Sequence, residues 1–427
     1  MVQPHPDMDG LQTRLTGRFR KQQEFAAGYS PLYSRLFGLL ADWLTAARPS
    51  DPLVDWLLQA TATRSSFDVP LLLLAGLHRD VLTGVAEAAD LARYYPTAGG
   101  TRQPDEGELA GALRAAILAR KDHLAAFLAT ATVQTNETAR GLCWLLPVLY
   151  TGWRAIHLVD LGASAGLNLV ADQRSYRLSG GEEWVGCAVR TIQAGAHSAP
   201  YEKMGHFECK GKSAESASVI NLGNGEPVQF LVAGQGKIPL PPSPRSLPAI
   251  LSRIGCDLAP FLLATDWDEQ TLAAFVWGDQ LKRLAMLRQG IAALKRIRGT
   301  SAPVRLYPAH LPGDLTEFLE QRITPCSDAP VVLYNTYLTT YLHDKGASLR
   351  PQLAAWAAGQ IQPVLWLQWE TLWQGPRPPD FGWVGWSADL WRDGRHFHWH
   401  LAWAHPHGTH IQWLPESAAW ADFWRER

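Results

Sequence analysis

The chain has 427 residues, room for two or three domains or for one large domain with additions. Apolar residues make up 47%, as in an ordinary globular protein, and the formal net charge is −1. The charges are interspersed rather than blocked, so nothing in them argues for a nucleic-acid partner.

The five cysteines (Cys143, Cys187, Cys209, Cys256 and Cys326) are odd in number, widely spaced and without a CxxC pair. That argues against a disulfide framework and for a reducing compartment. Cys187, His206 and Cys209 offer one short His-x-x-Cys step without an evident fourth ligand, so no metal site is read. The amino terminus is polar and lacks the basic and apolar regions of a signal peptide. The longest apolar run, Val69 to Leu77, contains a proline and is too short to span a bilayer. The expectation is a cytoplasmic protein with no membrane partner and a small-molecule substrate. Its oligomeric state is left open.

In chain order, residues 10–150 read as helical. Ser30-Pro31 starts a helix, with Ser at the cap and Pro in the first turn. Leu32, Leu36, Leu39, Leu40 and Leu44 keep its apolar stripe. Asp51-Pro52 and Asp68-Val-Pro70 start two more helices. Residues 106–131 form an Ala/Leu-rich helix, and Gln134-Thr-Asn-Glu-Thr-Ala-Arg140 leads into an apolar helix over 142–150.

The pattern then changes. Ile156 to Leu161 reads as a buried strand, Gly162-Ala-Ser-Ala-Gly166 as a tight turn, and Leu167 to Ala171 as the start of a helix. Small residues in the turn let a ligand approach the backbone, and free N–H groups at the helix start can face its oxygens. Asp160 sets a carboxylate at the strand's end. Residues 179–250 are rich in Gly, Ser and Pro, with short strand-like pieces at 185–192, 219–220 and 228–232, and read as a partly β insertion. Strand and helix then alternate: within 253–260 a short strand ending in Asp257, helix over 268–297, strand over 304–307, helix over 315–322, strand over 330–337, helix over 349–359 capped by Ser348, and strand over 363–370. Such repetition predicts a mostly parallel sheet covered by helices. Residues 395–404 and 409–414, joined by a turn at 405–408, form an antiparallel hairpin. Nineteen tryptophans, concentrated between Trp356 and Trp424, belong either to core packing or to an aromatic pocket.

The turn admits three readings. As Asp160-x-Gly162-x-Ser164-x-Gly166 it resembles the first motif of Rossmann-like methyltransferases that bind S-adenosylmethionine. As Gly162-x-Ser164-x-Gly166 it resembles the nucleophile elbow of α/β-hydrolases. It can also be a plain turn with no ligand. A hydrolase needs Ser164, an acid and a histidine in that order, and His400, His405, His407 and His410 satisfy the order. Only helices precede the elbow, however, and no HGGG-type stretch lies upstream, so the methyltransferase reading leads.

That reading expects an acid on the second strand for the ribose. Asp257 fits, although it lies far beyond the roughly 20 residues usual for such units, so residues 179–250 would have to loop out of the sheet. Asp172 competes for the role. The third strand ends near His310 and Asp314. The fourth ends at Asn335 and Tyr337, which either orient a nucleophile or pack and cap. Methyl transfer asks mainly for in-line positioning and sometimes for a base, for which Glu137 is the candidate, unless it only opens a helix.

Taken together, Phe19-Arg-x-Gln22, Ser30-Pro31-Leu-Tyr33, Tyr94-Tyr95-Pro96, Gln134-Thr-Asn-Glu137 with Arg140, Gly162-Ala-Ser-Ala-Gly-Leu-Asn168 with Asp172, Arg253-x-Gly255-x-Asp257-Leu-x-Pro260, Trp277-x-x-Gln280 with Arg283, and Trp369-Glu370 resemble a bacterial family known as domain of unknown function 2332. That family is similar in fold to class I methyltransferases. The resemblance implies an α/β protein: a Rossmann-like class I methyltransferase core over 151–427, its mostly parallel sheet closed by a C-terminal antiparallel hairpin, with an all-helical cap over 1–150. The implied cofactor is S-adenosylmethionine, held by Asp160, Gly162, Ala163, Ser164, Gly166, Asn168, Asp257 and His310. Glu137, Asn335 and Tyr337 are the catalytic candidates, and Tyr94, Asn136 and Glu137 of the cap would close the substrate side. The alternatives are a non-catalytic cofactor-binding protein of the same fold and a Ser164 hydrolase.

Overall fold

The computed structural model describes residues 8–46, 51–134, 137–180, 219–222, 227–232, 247–326, 328–372, 377–379, 382–406 and 408–425. Asn136, Cys187, His206, Cys209, His407 and most of the 179–250 stretch lie outside them. The chain divides into two compact units, Met1–Asn136 with Leu262–Leu287, and Glu137–Phe261 with Arg288–Arg427. This differs from a division at residue 150. The apolar helix Leu142–Thr151 belongs with the sheet, and a segment from the middle of the chain belongs with the amino-terminal helices.

In the helical unit the local signals act as their chemistry suggests. Ser30 Oγ accepts the Tyr33 N–H, and the Asp51 carboxylate accepts those of Leu53 and Val54, so each satisfies N–H groups that a helix start leaves unpaired. The reading of one helix over 106–131 is corrected to two, Leu109–Ala119 and Lys121–Thr130, broken at Arg120. Arg120 leaves the helix to pair with the buried Asp80. The helix over 268–297 is likewise two, Asp266–Ala274 and Leu281–Ile297. Between them Trp277 stacks on Tyr33 (5.0 Å, 9°), Asp279 accepts the Ser30 hydroxyl hydrogen, and Gln280 donates to the Tyr29 carbonyl at 2.7 Å. These contacts hold the later segment on the amino-terminal helices.

The other unit is built on eleven strands: β1 (Ala155–Leu161), β2 (Ser175–Gly180), β3 (Val219–Leu222), β4 (Pro227–Val232), β5 (Ala249–Asp257), β6 (Val304–Pro308), β7 (Val331–Thr336), β8 (Val364–Glu370), β9 (Val384–Arg392), β10 (Arg395–Ala404) and β11 (His410–Trp413). They form one mixed, mostly parallel sheet in the order β3-β2-β4-β11-β10-β9-β8-β7-β1-β5-β6. From β6 to β8 all neighbours are parallel; β8 to β11 form an antiparallel meander. Leaving out the insertion strands, β6-β5-β1-β7-β8 is the 3-2-1-4-5 order of a doubly wound sheet, with its switch point between β1 and β7. The described part of the insertion does loop away from β1 and β5: β2, β3 and β4 extend the far edge beyond β11. The 395–414 hairpin is present as β10 and β11. The strand β9 before it lacks a polar face to mark it, because eight of its nine residues are buried.

The helix expected after the turn is a correction. Leu167–Gln173 is a short 3-10 segment kinked at Val170, and the chain then enters β2. What ends it is a buried bidentate ion pair, Arg253 of β5 to Asp172 at 2.7 and 2.6 Å, with Arg253 also donating to the Leu169 carbonyl. Ser348 does not cap its helix through its own side chain; its N–H donates to Asp344 at 2.8 Å. No single helix among the described residues is long and apolar enough to cross a membrane.

Candidate functional site

The Gly162–Gly166 turn sits at the switch point, where the sheet order opens a crevice beyond the strand ends. Gly162, Ser164 and Gly166 all have left-handed backbone (φ 85°, 48° and 73°), which is how five residues reverse so sharply. Side-chain space is also short: a Cβ on Gly166 would stand 2.8 Å from Val304 Cγ1, and one on Gly255 of β5 2.6 Å from the Ala163 Cβ. Four N–H groups of the turn are engaged within the protein. Gly162 and Ala163 donate to the Cys256 carbonyl (2.8 and 2.9 Å), Gly166 to the Ala163 carbonyl (2.8 Å), and Ser164 to Asp257 Oδ2 (2.9 Å). The loop is closed mainly by its own backbone.

Asp257 ends β5, one residue past the Leu161–Cys256 pair, and is partly exposed. Its second oxygen accepts the Ala259 N–H at 3.1 Å. Asp172, the competing acid, pairs through both oxygens with Arg253 and also accepts from the Gln173 amide at 2.6 Å. Asp160 is 4% exposed and takes the Tyr334 hydroxyl hydrogen at 2.8 Å, its cross-strand partner on β7. Burial pushes its carboxyl up to about 7, against the hydrogen bond from Tyr334 and with the help of the nearby Asp257 charge. One of its two oxygens is thus taken by Tyr334.

At the end of β7 the two candidates part. Asn335 is fully buried; its amide donates to Glu370 at 2.6 Å and its oxygen accepts the Trp366 indole N–H at 2.6 Å. Glu370 also takes the N–H groups of Leu338 and Thr339 and the Thr339 hydroxyl, at 2.8, 3.1 and 2.7 Å. Desolvation still raises its carboxyl. Asn335 is thus the inner member of a network that shapes the loop after β7. Tyr337 is largely buried and left-handed (φ 60°), donates to the Gly382 carbonyl at 3.1 Å, and carries the Arg140 guanidinium 4.1 Å over its ring. Burial raises its hydroxyl well above the usual tyrosine range.

Glu137 opens the 138–141 turn and accepts the Ala139 N–H at 3.2 Å, while its carbonyl takes the Asn168 amide at 3.3 Å. Asn168 is therefore tied to the segment before the helix, and its carbonyl receives the Trp144 indole N–H. His310 is exposed just past β6, with its N–H on Asp314. Asp257, Ser164, Asp160, Asn335 and Tyr337 gather at adjoining strand ends. Of the cap residues, Tyr94 is buried in the helical unit.

The hydrolase reading needs a histidine at Ser164. His400 stands against His398 instead, and His405 and His410 both bond Thr409.

The sequence assigns no role to Tyr334, to Glu370 or to the polar face beside them. A cavity of about 370 Å³ opens over β8, β9 and β10, lined by Gln368, Glu370, Ser387, Asp389 and His398 among others. The signal for it was present as the alternation His396-x-His398-x-His400, taken above only as a strand. The late tryptophans are mostly core: Trp366, Trp369, Trp386, Trp420 and Trp424 are all buried, and Trp366 alone of these lines the cavity.

No curated protein and no solved structure matches this chain. One family model does, that described as "Uncharacterized protein conserved in bacteria (DUF2332)", over residues 16–413. The match runs from the first helix of the helical unit to the last strand of the sheet, and on that extent the chain belongs to the DUF2332 family.

Proposed function

We propose that the sheet unit binds S-adenosylmethionine at the switch point and transfers its methyl group to a small molecule. The observation that carries the reading is the strand order. It sets the Asp160–Gly166 turn beside Asp257 at the end of the adjoining strand, and Asn335 and Tyr337 at the end of the other neighbour. The residues fit the group at Asp257, a partly exposed carboxylate held in place by two backbone N–H groups and suited to ribose hydroxyls. Ala163, Ser164 and Gly162 leave little side-chain bulk beside it. Asp160 would fix Tyr334 under the turn through one of its oxygens. Bound, the cofactor would supply an electrophilic methyl group. Tyr337, steadied by Arg140 and Gly382, would orient the acceptor, and Glu370 with Asn335 would hold the Leu338–Thr339 loop in shape.

The test is titration calorimetry with S-adenosylmethionine and S-adenosylhomocysteine on the wild type and on Asp257→Ala, with circular dichroism to check that the variant folds. Saturable binding that weakens at least about tenfold in a folded Asp257→Ala supports the site, since a hydrogen bond to a charged group contributes about 1.5–3 kcal/mol. Absence of binding by the wild type to either compound defeats the reading.

A further inference from the structure

The cavity over β8–β10 holds an arrangement that methyl transfer does not use. His396, His398 and His400 alternate along β10, so their side chains share one sheet face with Asp389 and Ser387 of β9 and with Gln368 and Glu370 of β8. Asp389 is fully buried and lies directly across from His398. Its Oδ1 is 2.9 Å from both His396 Nε2 and His398 Nδ1, and its Oδ2 accepts from Arg350 (3.1 Å) and Gln368 (3.2 Å). Beyond the first ring, His398 Nε2 faces His400 Nε2 at 3.3 Å.

We propose that His398 and His400 hold one divalent first-row transition-metal ion, of the zinc class, between their Nε2 atoms at the wall of this cavity. Three features support it. The first is distance. Two imidazole nitrogens that each stand about 2.0–2.1 Å from a zinc ion at the tetrahedral angle are about 3.3–3.4 Å apart, which is the spacing found. The second is tautomer. The Asp389 carboxylate only accepts, so its contact with His398 Nδ1 puts the hydrogen there and turns the Nε2 lone pair toward His400. A carboxylate behind the far nitrogen is the usual support of a metal-binding histidine, because it fixes the ring and raises its basicity. The third is rigidity, since four donors from three other elements hold Asp389.

Among the described residues no group of three His, Cys, Asp or Glu comes together around such an ion. The ion would therefore have two protein ligands and keep its other positions for water or for an oxygen or nitrogen ligand in the cavity. Such a site has one protein ligand fewer than the usual three of a catalytic zinc centre, and so leaves more positions open. The inference is independent of the cofactor reading.

The experiment is calorimetric titration of the untagged, metal-stripped full chain with Zn²⁺, backed by metal analysis after dialysis. It is run on the wild type, His398→Ala, His400→Ala and Asp389→Asn. The expected result is one ion per chain, lost in either histidine variant and weakened about 10- to 100-fold in Asp389→Asn. Should an alanine variant fail to fold by circular dichroism, His398→Gln and His400→Gln, which keep the side-chain bulk, take its place in the same titration. No stoichiometric binding by the wild type overturns the proposal. So does binding that persists unchanged in both histidine variants, which would place the ion on other histidines.

Discussion

Replacing Asp160 with Asn isolates the cost of enclosing a carboxyl under the turn. Asn keeps an oxygen to accept the Tyr334 hydroxyl hydrogen at 2.8 Å but cannot ionise. In the folded chain burial raises the Asp160 carboxyl from an ordinary 3.8 to about 7, so the native state binds this proton more tightly than the unfolded state does. Stability from this group is therefore fully present below about pH 3.8, falls as pH rises toward 7, and stays lost above it. At alkaline pH the loss amounts to about 4 kcal/mol, from about 1.4 kcal/mol per tenfold change in proton affinity. Between pH 5 and pH 8 it grows by about 2–3 kcal/mol. Asp160→Asn escapes that loss, so the stability advantage of the variant over the wild type should widen by about 2–3 kcal/mol across the same interval. The assay is urea unfolding of both proteins at pH 5 and pH 8, followed by fluorescence of the buried sheet tryptophans such as Trp366 and Trp369. An advantage that is equal at the two pH values would refute the argument, because it would mean that Asp160 titrates as an exposed carboxyl does.

Further predictions rest on single contacts. Asp172→Ala strands Arg253, which is 5% exposed, without its partner, and should destabilise the sheet unit by about 3–5 kcal/mol in urea titration. In the helical unit, Gly278→Ala would set a Cβ 2.2 Å from the Tyr95 ring, too close for the ring to accommodate without moving, and should lose at least about 1–3 kcal/mol in thermal or urea unfolding. Ser30→Ala removes a helix cap and the hydroxyl that donates to Asp279; a loss of about 0.5–2 kcal/mol is expected, and no loss would mean that water replaces both bonds. Glu370→Gln puts an amide donor where the acid accepts from four donors, and should cost about 1–3 kcal/mol, with faster hydrogen exchange at Leu338 and Thr339 as the local readout.

Much of what the residues do locally is legible in the chain itself. The Ser30-Pro31 and Asp51-Pro52 starts, the strands at 156–161, 331–336 and 364–370, the closing hairpin and the glycine turn all follow from neighbours within a few positions. Capping, periodicity of burial and left-handed backbone act over that range. The sequence also singled out Asp257 and placed it rightly at a strand end, and it named Asn335, Tyr337 and Glu137 without being able to say what each touches.

The tertiary structure alone decided the rest. It sent the insertion strands to the far edge of the sheet, which brings β5 beside β1 and Asp257 to the turn. It gave Asp172 to Arg253, 81 positions away, and Asn335 to Glu370, and so turned two site candidates into supports. It joined the Trp277–Arg283 segment to helices some 250 residues earlier and aligned three histidines of β10 with Asp389 of β9. The reason is physical. Which strands pair depends on burying whole faces and on finding partners for every buried charge. Neither condition is visible in any short stretch of sequence.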